Sequence, residues 1–125
     1  MKKRVLLIED NAQNRYLETF LLEKNGFEIY PAEGGESGIR LAETLGPDLI
    51  LLDLQLPDMD GYAVARALRN NVRLKNIPIV AVTSYAMAGD KERILNAGCN
   101  DYIEKPIDPD TFIAQIVQSL SKPVI

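Results

Sequence analysis

Four apolar residues, Val5 to Ile8, run straight into Glu9 and Asp10, and the same change from apolar run to polar end recurs along the chain. Short β-rich runs alternate with amphipathic segments, which is the pattern of βα units feeding a parallel sheet. The runs predict five strands, roughly Arg4 to Glu9, Glu28 to Pro31, Leu49 to Asp53, Ile79 to Thr83 and Asp101 to Glu104. The first, third and fourth read as continuous Val/Ile/Leu runs, as strands covered by helices on both faces require. The second and fifth are shorter and more polar, which puts them nearer the sheet edges.

Helix ends are marked by residue type. Gly26 caps the first helix, Gly46 with Pro47 stops the second, and Gly98 ends the fourth. Asp90 and Asp108 are expected N-caps, with Pro109 at the first position of the last helix. In that helix Phe112, Ile113, Ile116, Val117 and Leu120 fall on one stripe and predict core packing. Right-handed crossovers confine five such strands to a doubly wound α/β sheet, most simply the flavodoxin-like (βα)5 order 2-1-3-4-5. Residues 1–125 read as a single domain, without internal repeat or linker.

Composition removes several classes. With 46% hydrophobic and 26% charged residues the chain is neither disordered nor fibrous. A net charge of -4 offers no basic field for nucleic acid, so no direct nucleic-acid binding is expected. The apolar run after Lys2, Lys3 and Arg4 is too short for a signal peptide, and no run approaches a membrane span. These points predict a cytoplasmic protein without membrane insertion. The lone Cys99 cannot form an internal disulfide and is expected to be a small buried residue. Histidine is absent, so no Ser/His/Asp or Cys/His triad can form and any phosphohistidine must belong to a partner.

Ligands of open α/β sheets bind beyond the carboxyl ends of the strands. Here those ends carry Glu9 and Asp10, then Asp53, Thr83 and Lys105. Three carboxylates on one rim repel, each close pair by about 4 kcal/mol at 4 Å and an effective dielectric near 20. A divalent cation relieves that repulsion, and all-oxygen ligation suits Mg²⁺. Lys105 adds a mobile positive charge, so the rim suits an incoming phosphoryl group, whose transfer depends on positioning and charge neutralisation.

The motifs that carry this rim are Ile8-Glu9-Asp10-Asn11, the loop from Asp53 through Gln55, Pro57, Met59 and Asp60 to Gly61, Val82-Thr83-Ser84-Tyr85-Ala86, and Tyr102-Ile103-Glu104-Lys105-Pro106. Together they resemble the response-regulator receiver domains of two-component phosphorelays, over essentially all 125 residues. The separations of 30 from Asp53 to Thr83 and 22 from Thr83 to Lys105 agree with that family. The resemblance implies that Asp53 accepts the phosphoryl group and that Glu9, Asp10, Asp53 and the backbone carbonyl of Gln55 hold Mg²⁺ or Mn²⁺. It implies that Thr83 and Lys105 hold the phosphoryl oxygens, that Tyr102 is the switch aromatic, and that the Lys105–Pro106 bond is cis. Gln55 and Tyr85 then flank the path of attacking water and set the lifetime of the acyl phosphate. Glu9 stands where many members carry a second aspartate.

Within the family, the stretch from Ala81 to Arg93, with Gly98-Cys99 and Lys105-Pro106-Ile107, looks most like stand-alone receivers of the DivK type. Similar stretches occur in receivers attached to hybrid kinases. The resemblance implies a sensor histidine kinase or a histidine phosphotransfer protein as donor, a downstream protein target, and a monomer or weak dimer that is not itself an enzyme. With no output module in the chain, the signal is expected to leave through the fourth helix, fifth strand and last helix, near Met87, Ala88, Lys91 and Tyr102. Asn14 and Arg15 on the first helix mark the expected donor-docking face. One rival is a Mg²⁺-dependent phosphohydrolase of small molecules with Asp53 as nucleophile, but such enzymes usually need a second acid where Gln55 stands. Another is a flavodoxin-like binding module, which would need a Ser/Thr/Gly-rich phosphate loop after the first strand.

Overall fold

The computed structural model describes residues 2–121. Its strands are β1 (Arg4–Ile8), β2 (Glu28–Ala32), β3 (Leu49–Asp53), β4 (Ile79–Thr83) and β5 (Asp101–Glu104). The helices are α1 (Ala12–Lys24), α2 (Gly35–Leu45), α3 (Gly61–Asn70), α4 (Ala88–Asn96) and α5 (Phe112–Leu120), with a 3₁₀ turn at Val72–Leu74. All strand pairs are parallel, in the order β2-β1-β3-β4-β5, so the doubly wound α/β sheet and its predicted order are confirmed. The two more polar strands, β2 and β5, are the edges. Pro31 has no N–H to donate to a second neighbour and is tolerated because β2 is an edge strand.

Strand alternation splits the core in two. Leu6, Ile8, Ile50, Leu52, Ile79 and Ala81 meet Ala42 of α2, Val64, Ala65 and Leu68 of α3, and Ile94 of α4. On the opposite face Val5, Leu7, Leu49, Leu51, Val80, Val82 and Ile103 meet Leu22 of α1 and Phe112 and Ile116 of α5. Every residue of β3 and β4 is buried, which is why those runs carry no polar alternation. Cys99 is buried in the first of these cores, and burial pushes its thiol up to about 12.

Glycine ends three helices as expected, with Gly26, Gly46 and Gly98 at φ of 89°, 62° and 110°, a region L side chains rarely adopt. Other local expectations are corrected. Asp90 is the third residue of α4, not its N-cap, and its Oδ2 accepts the Met87 N–H at 3.2 Å by reaching back over the first turn. Asp108 is not the cap of α5 either. Its Oδ1 accepts the Asp110 N–H and its carbonyl accepts those of Thr111 and Phe112, so a separate turn containing Pro109 precedes a helix that starts at Phe112. Val117 leaves the predicted core stripe and is 51% exposed, while Ser119 is buried and donates to Asp101 Oδ2.

Candidate functional site

The carboxyl ends of β1, β3 and β4 are neighbours in the sheet, and the segment after β5 is tied to β4 by a bond from Lys105 N–H to the Thr83 carbonyl of 2.8 Å. This topology brings Glu9, Asp10, Asp53, Thr83 and Lys105 to one rim. One oxygen from each of Glu9, Asp10 and Asp53 lies within 4.8 Å of the other two. Lys105 Nζ stands 3.0 Å from Asp53 Oδ1 and 3.8 Å from Glu9 Oε1. Asp53 is only 2% exposed and Glu9 is equally buried, whereas Asp10 faces solvent.

Each group is held by its own loop. Asn11 caps α1 by accepting the Asn14 N–H at 2.9 Å, while its own N–H donates to Glu9 Oε2 at 3.1 Å. Arg15 Nη1 donates to the carbonyls of Glu9 and Asp10 at 2.9 and 3.3 Å, and its guanidinium reaches Glu33 at 3.6 Å. The Gln55 N–H donates to Asp53 Oδ1 at 2.9 Å, and Gln55 Oε1 accepts the Ser84 N–H at 3.0 Å. Thr83 is buried, and its Oγ1 accepts the Tyr85 N–H at 3.0 Å. Tyr85 is 62% exposed. Tyr102 is half-buried against the core, with Lys91 Nζ 5.6 Å from its ring centroid. The Lys105–Pro106 bond is cis.

The β3–α3 loop that leaves Asp53 is folded tightly on itself. A Cβ at Gly61 would stand 2.3 Å from Leu54 Cα, so the loop closes this way only with glycine there. Asp58 in the same loop accepts the N–H groups of Gly35 and Glu36 at 2.9 and 3.3 Å and so caps the start of α2. These backbone bonds hold the Asp58 carboxyl below the usual carboxylate range. Asp60 caps α3 through the Tyr62 N–H.

The carboxylate cluster fits a hard divalent cation. Glu9 Oε1 is buried without a hydrogen-bond partner, the donor set is all oxygen, and one lysine faces two buried carboxyl groups. Burial first, and then hydrogen bonding and charge from Asp53, raises the Glu9 carboxyl to about 7, with Lys105 pulling the other way.

Sequence reasoning missed Glu18. It lies on the inward stripe of α1, four residues before the buried Leu22, is 1% exposed, and has neither carboxyl oxygen hydrogen-bonded. Burial, followed by the charge of Glu9, pushes it to about 8. The available signal was a charged residue at helical spacing from Leu22 on the stripe shared with Leu21.

A parallel five-stranded sheet with an acidic cluster and a lysine at its carboxyl rim defines a class, and the family model for the response regulator receiver domain matches residues 5–117. The chain belongs to that family, the receivers of two-component signalling. Among curated relatives it is 43% identical over 116 residues to the polar-differentiation response regulator DivK of Brucella ovis, covering 93% of this chain and 94% of that one. The Brucella anthropi DivK matches to the same extent. Among solved structures, the receiver domain of a sensor histidine kinase from Pseudomonas aeruginosa PAO1, with magnesium coordinated in its active site cleft, superposes with a TM-score of 0.88. It is 32% identical and covers 98% of this chain and all of that one. The chemotaxis response regulator CheY4 of Vibrio cholerae, 24% identical, gives a TM-score of 0.91 over 95% of this chain and 99% of its own, a likeness of fold. The chain is a DivK-like receiver, a signalling protein, and a phosphoryl-acceptor role is consistent with that family. No helix among the described residues is long and apolar enough to cross a membrane.

Proposed function

We propose that residues 1–125 form one receiver domain in which Asp53 accepts a phosphoryl group from the phosphohistidine of a sensor histidine kinase or histidine phosphotransfer protein. The observation that carries this reading is Lys105 Nζ, 3.0 Å from a buried Asp53 oxygen beside two further carboxyl groups. A carboxylate oxygen of Asp53 attacks phosphorus, the P–N bond breaks, and its electron pair returns to the imidazole nitrogen, which takes a proton from solvent. The chain has no histidine, so the donor imidazole is the partner's. Glu9, Asp10, Asp53 and the Gln55 carbonyl would hold Mg²⁺ or Mn²⁺, which supplies neutralisation of the oxygens' charge.

Lys105 counters the charge added to Asp53. Thr83, whose hydroxyl now accepts the Tyr85 N–H, turns to donate to a phosphoryl oxygen, and Tyr102 follows the moving loop. Moving a switch from 1:99 to 99:1 requires about 5.5 kcal/mol of differential stabilisation, and charge-assisted contacts of Thr83 and Lys105 supply a large part of it. Gln55 and Tyr85 set how fast water removes the group. The face of α4, β5 and α5 around Met87, Ala88, Lys91 and Tyr102 receives the downstream protein. Asn14 and Arg15 on α1 lie on the donor side. The protein works in the cytoplasm as a monomer or weak dimer and catalyses only its own phosphorylation and dephosphorylation.

Incubation with Mg²⁺ and acetyl phosphate tests the reading by mass spectrometry. The expected result is a labile, stoichiometric adduct of one phosphoryl group that Asp53→Asn abolishes. Multiple turnover of phosphomonoesters without such an adduct would replace it with the hydrolase reading.

A further inference from the structure

Two loops meet at the mouth of the acidic pocket, and one side chain joins them. Gln55, in the loop after β3, spans 29 positions of sequence to accept the Ser84 N–H at 3.0 Å. Its own N–H is fixed to Asp53 Oδ1 at 2.9 Å, so the residue is anchored at one end on the pocket's central carboxylate. Its other end holds the first backbone N–H after Thr83. The second, that of Tyr85, is held by Thr83 Oγ1 at 3.0 Å. Both N–H groups that follow β4 are therefore engaged, and the Thr83 hydroxyl is turned back into its own loop.

We propose that Gln55 is a positioning residue whose side-chain carbonyl clasps the β4–α4 loop in the observed position, so that Thr83 swings toward Asp53 only when the Gln55–Ser84 bond opens. This rests on the reading of Asp53 as phosphoryl acceptor and assigns its neighbour a second role, distinct from screening water. The screen needs only bulk, whereas the clasp needs an acceptor oxygen at the end of a side chain of this length. Because the bond exists only in the observed loop position, it stabilises that position against the moved one. A single hydrogen bond of this kind biases such an equilibrium about fivefold.

Two variants of equal length separate clasp from screen: Gln55→Met keeps the bulk and removes the acceptor, and Gln55→Glu keeps an acceptor. The first measurement is amide hydrogen exchange at Ser84 without phosphodonor. The expected result is exchange about fivefold faster in Gln55→Met and as slow as wild type in Gln55→Glu. The second is affinity for beryllofluoride with Mg²⁺, a stable mimic of the acyl phosphate, which should be about fivefold tighter in Gln55→Met than in wild type. Unchanged Ser84 exchange in Gln55→Met, or a mimic affinity that is equal or weaker, overturns the clasp. If wild type fails to bind the mimic at all, the Asp53 assignment falls and the switch role with it. The Ser84 exchange rates then distinguish that failure from an absent clasp.

Discussion

Replacing Glu18 by Gln turns one buried carboxyl group into a neutral amide of the same shape. Burial is the main reason that carboxyl stands at about 8 in the folded protein instead of its ordinary 4.5, with the Glu9 charge next and Lys105 opposing. The folded state thus binds the Glu18 proton more tightly than the unfolded chain does. Its contribution to stability is fully present below about pH 4.5 and is lost as pH rises through 8. Each pH unit well inside that window costs about 1.4 kcal/mol and less near its two ends, so Glu18 alone removes about 3–4 kcal/mol between about pH 5 and pH 8. Glu9, raised to about 7, adds a slope of the same sign. Urea denaturation followed by circular dichroism across that range, with a chelator to exclude divalent cations, reads the difference between wild type and Glu18→Gln. The variant should become more stable relative to wild type as pH rises, by about 3–4 kcal/mol over the range. Parallel pH profiles, or a wild type that gains on the variant with rising pH, would refute the argument.

Phe112, fully buried between α5 and the sheet, should cost about 3–5 kcal/mol when replaced by Ala, read as a lower urea midpoint with unchanged slope. Gly61→Ala drives a methyl group against the Leu54 backbone, so a loss of about 1–3 kcal/mol is expected, with weaker acetyl phosphate labelling because the same loop carries Gln55. Tyr85→Ala should shorten the lifetime of the phosphorylated form, measured as phosphate release after the donor is removed; an equal or longer lifetime would exclude Tyr85 from shielding the acyl phosphate.

The strands were readable because β1, β3 and β4 lie between two helical layers and so carry the unbroken apolar runs Val5 to Ile8, Leu49 to Leu52 and Ile79 to Val82. Crossover handedness confines the strands to a doubly wound sheet, of which 2-1-3-4-5 is the simplest order, and that order puts Glu9, Asp10, Asp53 and Thr83 on one rim. Helix starts were less legible. Asp90 and Asp108 each have several nearby N–H groups to choose from, and the choice is settled by small differences in local geometry.

The chain's pattern therefore determined the strands, the doubly wound class of the sheet and the polar residues at the strand ends, since these follow from local apolar runs and from chirality that every such chain shares. Only the folded structure decided that both carboxyl oxygens of Glu18 lack a hydrogen bond, that Val117 is exposed, and that Gln55 grips Ser84. Those outcomes depend on how far each helix is rotated against the sheet and on contacts between loops some thirty positions apart. Neither is encoded in the periodicity of a single segment, because both are set by the packing of several segments at once.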